Sequence, residues 1–415
     1  MRVLIAVDGA RGQALAADLP DVDAEVDVRG VLASDAPAAA AADAMAGPEA
    51  AELLGELARA DVLIVETGRA TLTAELVRAC DRFGVRIIAL CARDADRRVA
   101  AVFGISARGI DDDPADLLEP PGEDAPPPPA AGRVIVVWGP GGAPGRSTIA
   151  VELACELARD GRHVALVDAD SHAPSIALAT GLPDEGPGFA AACRQAGRDS
   201  LDAAELSRIS ESLGNVDVLT GINRPGRWPE LDRARVTGAL SACTAWADDT
   251  VVDVAAPLEQ DEEIVSDLDG PRRNAATLAA LACADVVVAV VAADPVSVSR
   301  FVRAYPELRA AAPNARLRVL VNKTRSGALG IDARGQVRRT LERFAGVDEV
   351  WFVPWDAKGV DAALLSARPI ALTSPRSALT SALRRFVGEA IAPPVPVTAP
   401  PARRATRRRV GARAA

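Results

Sequence analysis

A carboxylate can hold a magnesium ion, a hydroxyl can complete its coordination, and backbone amides at a helix start can cradle phosphate. Residues 133–150, RVIVVWGPGGAPGRSTIA, place the last two kinds of group in one stretch. Gly141, Gly142 and Gly145 permit the backbone angles that turn successive N–H groups into one concavity. Arg146, Ser147 and Thr148 follow and open an apolar, Ala-rich run. There Ser147 is placed to ligate Mg²⁺ and Thr148 to touch a phosphate oxygen. The motif G-x-x-x-x-G-K-[ST] would put its first glycine at Pro140 and its lysine at Arg146. Arginine grips phosphate as a wide fork rather than a point charge. Pro144 deletes one amide from the cradle. Alone, the loop reads either as a phosphate site or as a Gly-rich strand-to-helix turn without a ligand.

Further polar residues end later apolar runs. Residues 163–167 lead into Asp168-Ala169-Asp170, and Val251-Val252 lead into Asp253. Strand-terminal carboxylates beside a phosphate loop stand where Mg²⁺ and an attacking water would be. Singly, each is more often a plain strand terminus or helix cap. Leu320-Val321-Asn322-Lys323 ends another run, where the Asn322 amide either reads adenine or serves as an ordinary turn residue.

These residues need a scaffold that gathers strand ends. Strands are expected at 134–138, 163–167, 216–219, 250–254, 286–291, 317–321 and 349–353. Most are continuous Val/Leu/Ile runs, as in parallel strands buried on both faces. Strands are also expected at 2–7, 61–65 and 85–90, with helical spacing over 70–83 (Leu72, Leu76, Val77, Cys80). Strand–helix–strand alternation implies a parallel sheet with right-handed crossovers. Residues 111–132 are acidic and proline-rich and read as a linker. The expected organisation is an α/β unit over 1–110, that linker, a second α/β domain over 133–392, and a disordered tail over 393–415.

The order of P-loop, DAD, VVD-x-x-x-P, VNK and then Val353-Pro354-Trp355-Asp356 resembles the MinD/ParA family of deviant-Walker ATPases, over nearly all of the second domain. Residues 276–281, Ala284-Asp285 and Asp294-Pro295 are most similar to its pilus-assembly branch, CpaE/TadZ. The resemblance implies a P-loop NTPase domain with a mostly parallel sheet flanked by helices, behind a degenerate receiver-like (flavodoxin-like) domain. It implies ATP and Mg²⁺ as cofactors. Gly141, Gly142, Gly145, Arg146, Ser147 and Thr148 would hold phosphates and Mg²⁺. Asp170 would position water, and Asp253 would be the Walker B carboxylate, meeting the metal through water. Asn322 would meet adenine, with Pro354 and Asp356 closing over the base. The family's second lysine, which reaches across a dimer to the partner's nucleotide, falls at uncharged Pro140 or Gly141. Slow or absent hydrolysis is therefore expected, unless an arginine elsewhere, such as Arg272 or Arg273, substitutes.

The implied function is nucleotide-dependent homodimerisation that positions a pilus or secretion machine, working with polar-localisation proteins. The alternatives are a catalytically inactive scaffold and a ParA-like DNA-partitioning ATPase. The chain has only two lysines, Lys323 and Lys358, so Arg146 is partly compositional. A net charge of −10 argues against a general nucleic-acid coat. Six arginines in the last thirteen residues (Arg403, Arg404, Arg407, Arg408, Arg409, Arg413) would contact DNA or anionic membrane, or merely solubilise the chain. Six scattered cysteines without a C-x-x-C pair suggest free thiols in a reducing cytoplasm. The N-terminal apolar run is too short for a signal peptide. A cytoplasmic protein, free or peripheral at the inner face of the membrane, is expected. In the first unit Asp8 stands alone after its strand, Glu66-Thr67 occupies the acceptor neighbourhood, and no lysine precedes Lys323. Docking, dimerisation or a plain lid is expected there rather than phosphoryl chemistry.

Overall fold

Short β-branched runs set the frame of both sheets. The computed structural model describes residues 1–22, 24–43, 47–68, 70–92, 94–118, 131–159, 161–186, 188–259, 272–325, 330 and 332–392. The first sheet contains β1 (Arg2–Ala6), β2 (Asp27–Leu32), β3 (Val62–Glu66), β4 (Arg86–Cys91) and β5 (Ala107–Gly109). Its order is β2-β1-β3-β4-β5, and every pair is parallel. That is the order of flavodoxin-like doubly wound sheets. The helix expected over 70–83 runs Ala74–Phe83. Thr73 caps it by accepting from the Leu76 N–H, and Gly84 ends it in the left-handed conformation.

Two features depart from the sequence reading. Strands β2 and β5 were not expected, because DVRGVL and ARG are half-exposed edges without a continuous apolar run. Part of the expected linker is helical, Pro114–Leu118, and Leu117 is buried with Val3, Ile5, Leu15 and Leu19 of the first unit. Residues 119–130 of the linker and 393–415 of the tail lie outside the described residues. Gly132 already belongs to the second unit, donating its N–H to the Thr244 carbonyl at 2.7 Å.

The second sheet contains β6 (Arg133–Trp138), β7 (Val164–Asp168), β8 (Glu211–Leu213), β9 (Val216–Leu219), β10 (Asp249–Asp253), β11 (Val286–Ala292), β12 (Arg316–Thr324) and β13 (Val350–Pro354). Its order is β13-β12-β11-β6-β10-β7-β9-β8, all parallel except the β8–β9 pair. Alternate residues of β6 feed the two cores: Val134, Val136 and Trp138 on one face, Ile135 and Val137 on the other. Strand β10 lies between β6 and β7, so the chain leaves β6 and re-enters one place beyond its neighbour. Such a switch point opens a crevice at the carboxyl ends of the strands.

The helix after β6, Arg146–Ala158, is buried along most of its length. Its Glu152 is 3% exposed and accepts the N–H groups of Ile370 and Ala371 at 2.6 and 2.8 Å. Burial raises this carboxyl to about 7. A raised folded pKa favours the protonated folded form, so its contribution is full below about 4.5 and is lost as pH rises through about 7. We expect Glu152→Gln to flatten the stability–pH curve between those values, by on the order of 3 kcal/mol. Urea midpoints across pH 4.5–8 measure it.

Candidate nucleotide site

The loop from Gly139 to Gly145 joins the central strand β6 to the helix Arg146–Ala158. Four side chains tie its carbonyls. Arg146 Nη1 donates to the Gly139 oxygen at 3.3 Å, and Arg300 Nη1 to the Gly141 oxygen at 2.9 Å. Lys323 Nζ donates to the Ala143 oxygen at 2.7 Å, and Asn322 Nδ2 to the Pro144 oxygen at 2.9 Å. No acceptor among the described residues takes the N–H groups of Gly141, Gly142, Ala143 or Gly145. Carbonyls tied by side chains and amides left unengaged make an anion nest at a helix N-terminus. Pro144 does remove one amide from it.

The loop is held in conformations that cost energy. Gly142 and Gly145 have φ of 111° and 98°, and a Cβ on Gly145 would lie 2.6 Å from Asn322 Nδ2. Ala143 and Lys323, joined by one hydrogen bond, are both non-glycine residues in the left-handed region, at φ 52° and 57°. Such outliers persist where the surroundings over-determine them.

Beside the loop, β7 and β10 end level with each other. Asp168 and Asp253 are register partners on these adjacent strands, and both are fully buried. Asp168 is tied into the structure: Oδ2 accepts from the Ser175 and Ile176 N–H groups at 2.9 and 3.0 Å, and Oδ1 from the Asp170 N–H at 3.2 Å. Both carboxylate oxygens of Asp253 are buried without a hydrogen-bond partner. Burial, then the neighbouring Asp168 charge, pushes Asp253 well above the usual carboxylate range, while the nearby Ser147 hydroxyl pulls the other way. Two carboxylates side by side in a dry pocket either hold a proton between them or neutralise a cation. An orphaned carboxylate beside a hydroxyl, facing a phosphate nest, fits Mg²⁺ held jointly by Ser147, Asp253 and phosphate oxygens. Thr148, half-buried in the same first turn, remains placed for a phosphate contact.

Asp170, expected to position water, is committed on both oxygens. Oδ1 accepts from the His172 and Ala173 N–H groups at 2.8 and 2.9 Å, and Oδ2 faces Arg146 Nη2 at 3.6 Å. The loop's own cation is therefore neutralised by this carboxylate. Asn322, expected at adenine, is buried against the loop, and its carbonyl oxygen accepts from the Lys323 N–H. In this structure it is a brace. Pro354 ends β13, and Asp356 caps the helix Ala357–Ser366 through Gly359 N–H at 2.9 Å. Between them Trp355 exposes its ring, with Lys323 and Arg325 over it at 5.6 and 5.3 Å.

Sequence reasoning missed the contacts of Arg300 and Lys323. Arg273, its suggested substitute cation, lies over the Trp228 ring at 5.5 Å instead. The acidic run from Glu259 to Asp269, which by its charge reads as a solvated loop or an interaction surface, lies outside the described residues beyond Glu259. In the first unit, Asp8 accepts from both the N–H and the hydroxyl of Ser34, at 2.8 and 2.7 Å, which holds it below the usual carboxylate range.

A phosphate nest at the carboxyl edge of a mostly parallel sheet, with strand-terminal carboxylates beside it, defines an α/β P-loop NTPase domain. The ParA family model, described as NUBPL iron-transfer P-loop NTPase, matches residues 131–197, spanning the loop and both aspartates of the DAD run. No curated protein sequence matches the chain. Among solved structures, a ParA family ATPase from Chlorobium tepidum TLS superposes with a TM-score of 0.52 at 18% identity, covering 62% of this chain and 97% of its own. The septum site-determining protein MinD of Pyrococcus horikoshii OT3, solved with Mg-ADP, superposes with a TM-score of 0.50 at 16% identity, covering 63% and 96%. The domain is thus a P-loop NTPase of the ParA/MinD fold. No described helix is long and apolar enough to cross a membrane.

Proposed function

We propose that this chain binds ATP with Mg²⁺ and uses the bound state to form a homodimer, with slow or absent hydrolysis. The observation that carries the reading is the unpartnered Asp253 carboxylate beside Ser147 and a nest of unengaged loop amides. Gly141, Gly142, Gly145 and Thr148 would take the phosphates, and Ser147 and Asp253 the metal. Bound Mg²⁺ supplies charge neutralisation between phosphate oxygens. The Arg146–Asp170 contact supports slow turnover, because the carboxylate that would position water is occupied by the loop's arginine.

The same contact favours a second reading, a nucleotide-responsive scaffold without turnover. The resemblance of residues 276–295 supports a role in positioning a Flp/Tad-type pilus or secretion machine, with the first unit as a receiver-like docking domain. The arginine-rich tail supports contact with DNA or anionic membrane, at the inner face of the envelope. Measuring mass by light scattering and phosphate release on one sample with Mg·ATP separates these outcomes. We expect the mass to double while phosphate appears slowly or not at all. Fast release abolished by Asp170→Ala overturns the slow-turnover reading, and an unchanged mass overturns the dimer.

A further inference from the structure

The loop carries no lysine, and its one cation is already paired. Arg146 faces Asp170 at 3.6 Å and donates to the Gly139 carbonyl. Even with Mg²⁺ bound, a triphosphate keeps net negative charge that one paired arginine and a few amides leave unbalanced, so the site calls for a further cation.

The fold delivers one from a distant element. The helix Pro295–Ala311 is anchored at its start by Asp294, which accepts from the Ser297 N–H at 2.9 Å. The Ser297 hydroxyl in turn accepts from the Ala292 N–H of β11 at 2.9 Å. Val298 and Phe301 are buried beneath this helix. With that face fixed, Arg300 projects over the loop. Its Nη1 reaches the Gly141 oxygen, and a Cβ built on Gly142 would lie 2.5 Å from the same nitrogen. The guanidinium therefore rests on Gly142, within a residue's width of the amide nest.

Three properties separate Arg300 from the other cations there. No carboxylate among the described residues pairs with it. One hydrogen bond is described for a group with five donors, so most of its capacity is open. It is solvent-exposed on a long flexible stem, whereas Lys323 is held between the Ala143 carbonyl and the Trp355 ring.

We propose that Arg300 is a positioning and specificity residue for the terminal phosphate of a bound nucleoside triphosphate. Resting on the Gly141 carbonyl, it swings onto that phosphate when a triphosphate fills the nest and stays on the carbonyl when a diphosphate does. The proposal rests on the nucleotide reading above. It makes Arg300 the source of ATP-over-ADP discrimination, a task the loop's own residues are not equipped for. Phosphate suits it because a planar guanidinium pairs with two oxygens at once.

The test is calorimetric titration of the full chain with ATP and with ADP, each with Mg²⁺, for the unmodified protein, Arg300→Ala and Arg300→Lys. We expect Arg300→Ala to lose about tenfold or more in ATP affinity and to leave ADP affinity unchanged. Arg300→Lys should restore part of the ATP affinity. ADP binding by the alanine variant certifies its fold in the same experiment. Equal losses for ATP and ADP would mean that Arg300 only braces the loop, and would overturn the proposal. So would no loss for either. Should the unmodified protein bind ADP but show no preference for ATP, the proposal falls while the nucleotide site stands. Failure to bind either nucleotide removes the nucleotide reading itself, and this proposal with it.

Discussion

Gly145→Ala lowers Mg·ATP affinity by about 100-fold while the chain remains folded. Gly145 caps the P-loop helix in the left-handed region, at φ 98° and ψ 32°. A Cβ there costs about 1–2 kcal/mol in backbone strain. It would also sit 2.6 Å from Asn322 Nδ2, the group that holds the Pro144 carbonyl. Losing that hydrogen bond adds about 1 kcal/mol. The loop relieves both by turning its amides away, so binding must restore a conformation costing roughly 3 kcal/mol, about two decades in affinity. The strand and the helix that flank the loop are packed in the two cores, so thermal stability changes far less. Titration of the variant beside a melting curve checks both halves. Unchanged affinity would mean that the amides at this turn hold no phosphate.

Replacing Asp253 separates stability from function with opposite signs. Asp253→Asn makes the metal-free protein more stable and weakens its Mg²⁺-dependent nucleotide binding. The carboxylate is fully buried, unpartnered and in register with Asp168. Its folded pKa is raised, so the protein binds an extra proton relative to the unfolded chain, and stability falls as pH climbs above the ordinary carboxylate value. Asparagine removes that loss, so its advantage grows from pH 5 to pH 8, reaching about 1–3 kcal/mol. The same change removes the charge that a metal would neutralise. We expect Mg²⁺-dependent affinity to fall by about 10–100-fold. Denaturant midpoints at the two pH values, and titrations with and without Mg²⁺, measure the two effects. A destabilised variant with intact metal dependence would contradict this account of Asp253.

The strands that were easiest to read are those buried on both faces. The runs VIVVW in β6 and VVVAVVA in β11 signal themselves because nothing on either side is polar. Strands β2, β5 and β8 were missed because they are half-exposed edges, and β5 and β8 are only three residues long. The helix Pro114–Leu118 sits in an acidic, proline-rich stretch whose composition masks the one leucine that packs. At the site, the glycines and strand-terminal aspartates were legible because their spacing along the chain is their function. Asp168 and Asp253 meet because parallel register aligns strand ends, which alternation of strands and helices implies. The outer cations were not legible. Arg300 and Lys323 reach the loop across 159 and 180 residues, and nothing local marks either as a phosphate-site residue. Asn322 was legible as a site residue, but its tie to Pro144 depends on the depth of packing between β12 and the loop.

The most direct test of the nucleotide site is titration of the full chain with ATP, in Mg²⁺ and again with Mg²⁺ chelated. One site per chain, with affinity that drops sharply on chelation, is the predicted result. No heat of binding and no shift in melting temperature at millimolar ATP would contradict the account.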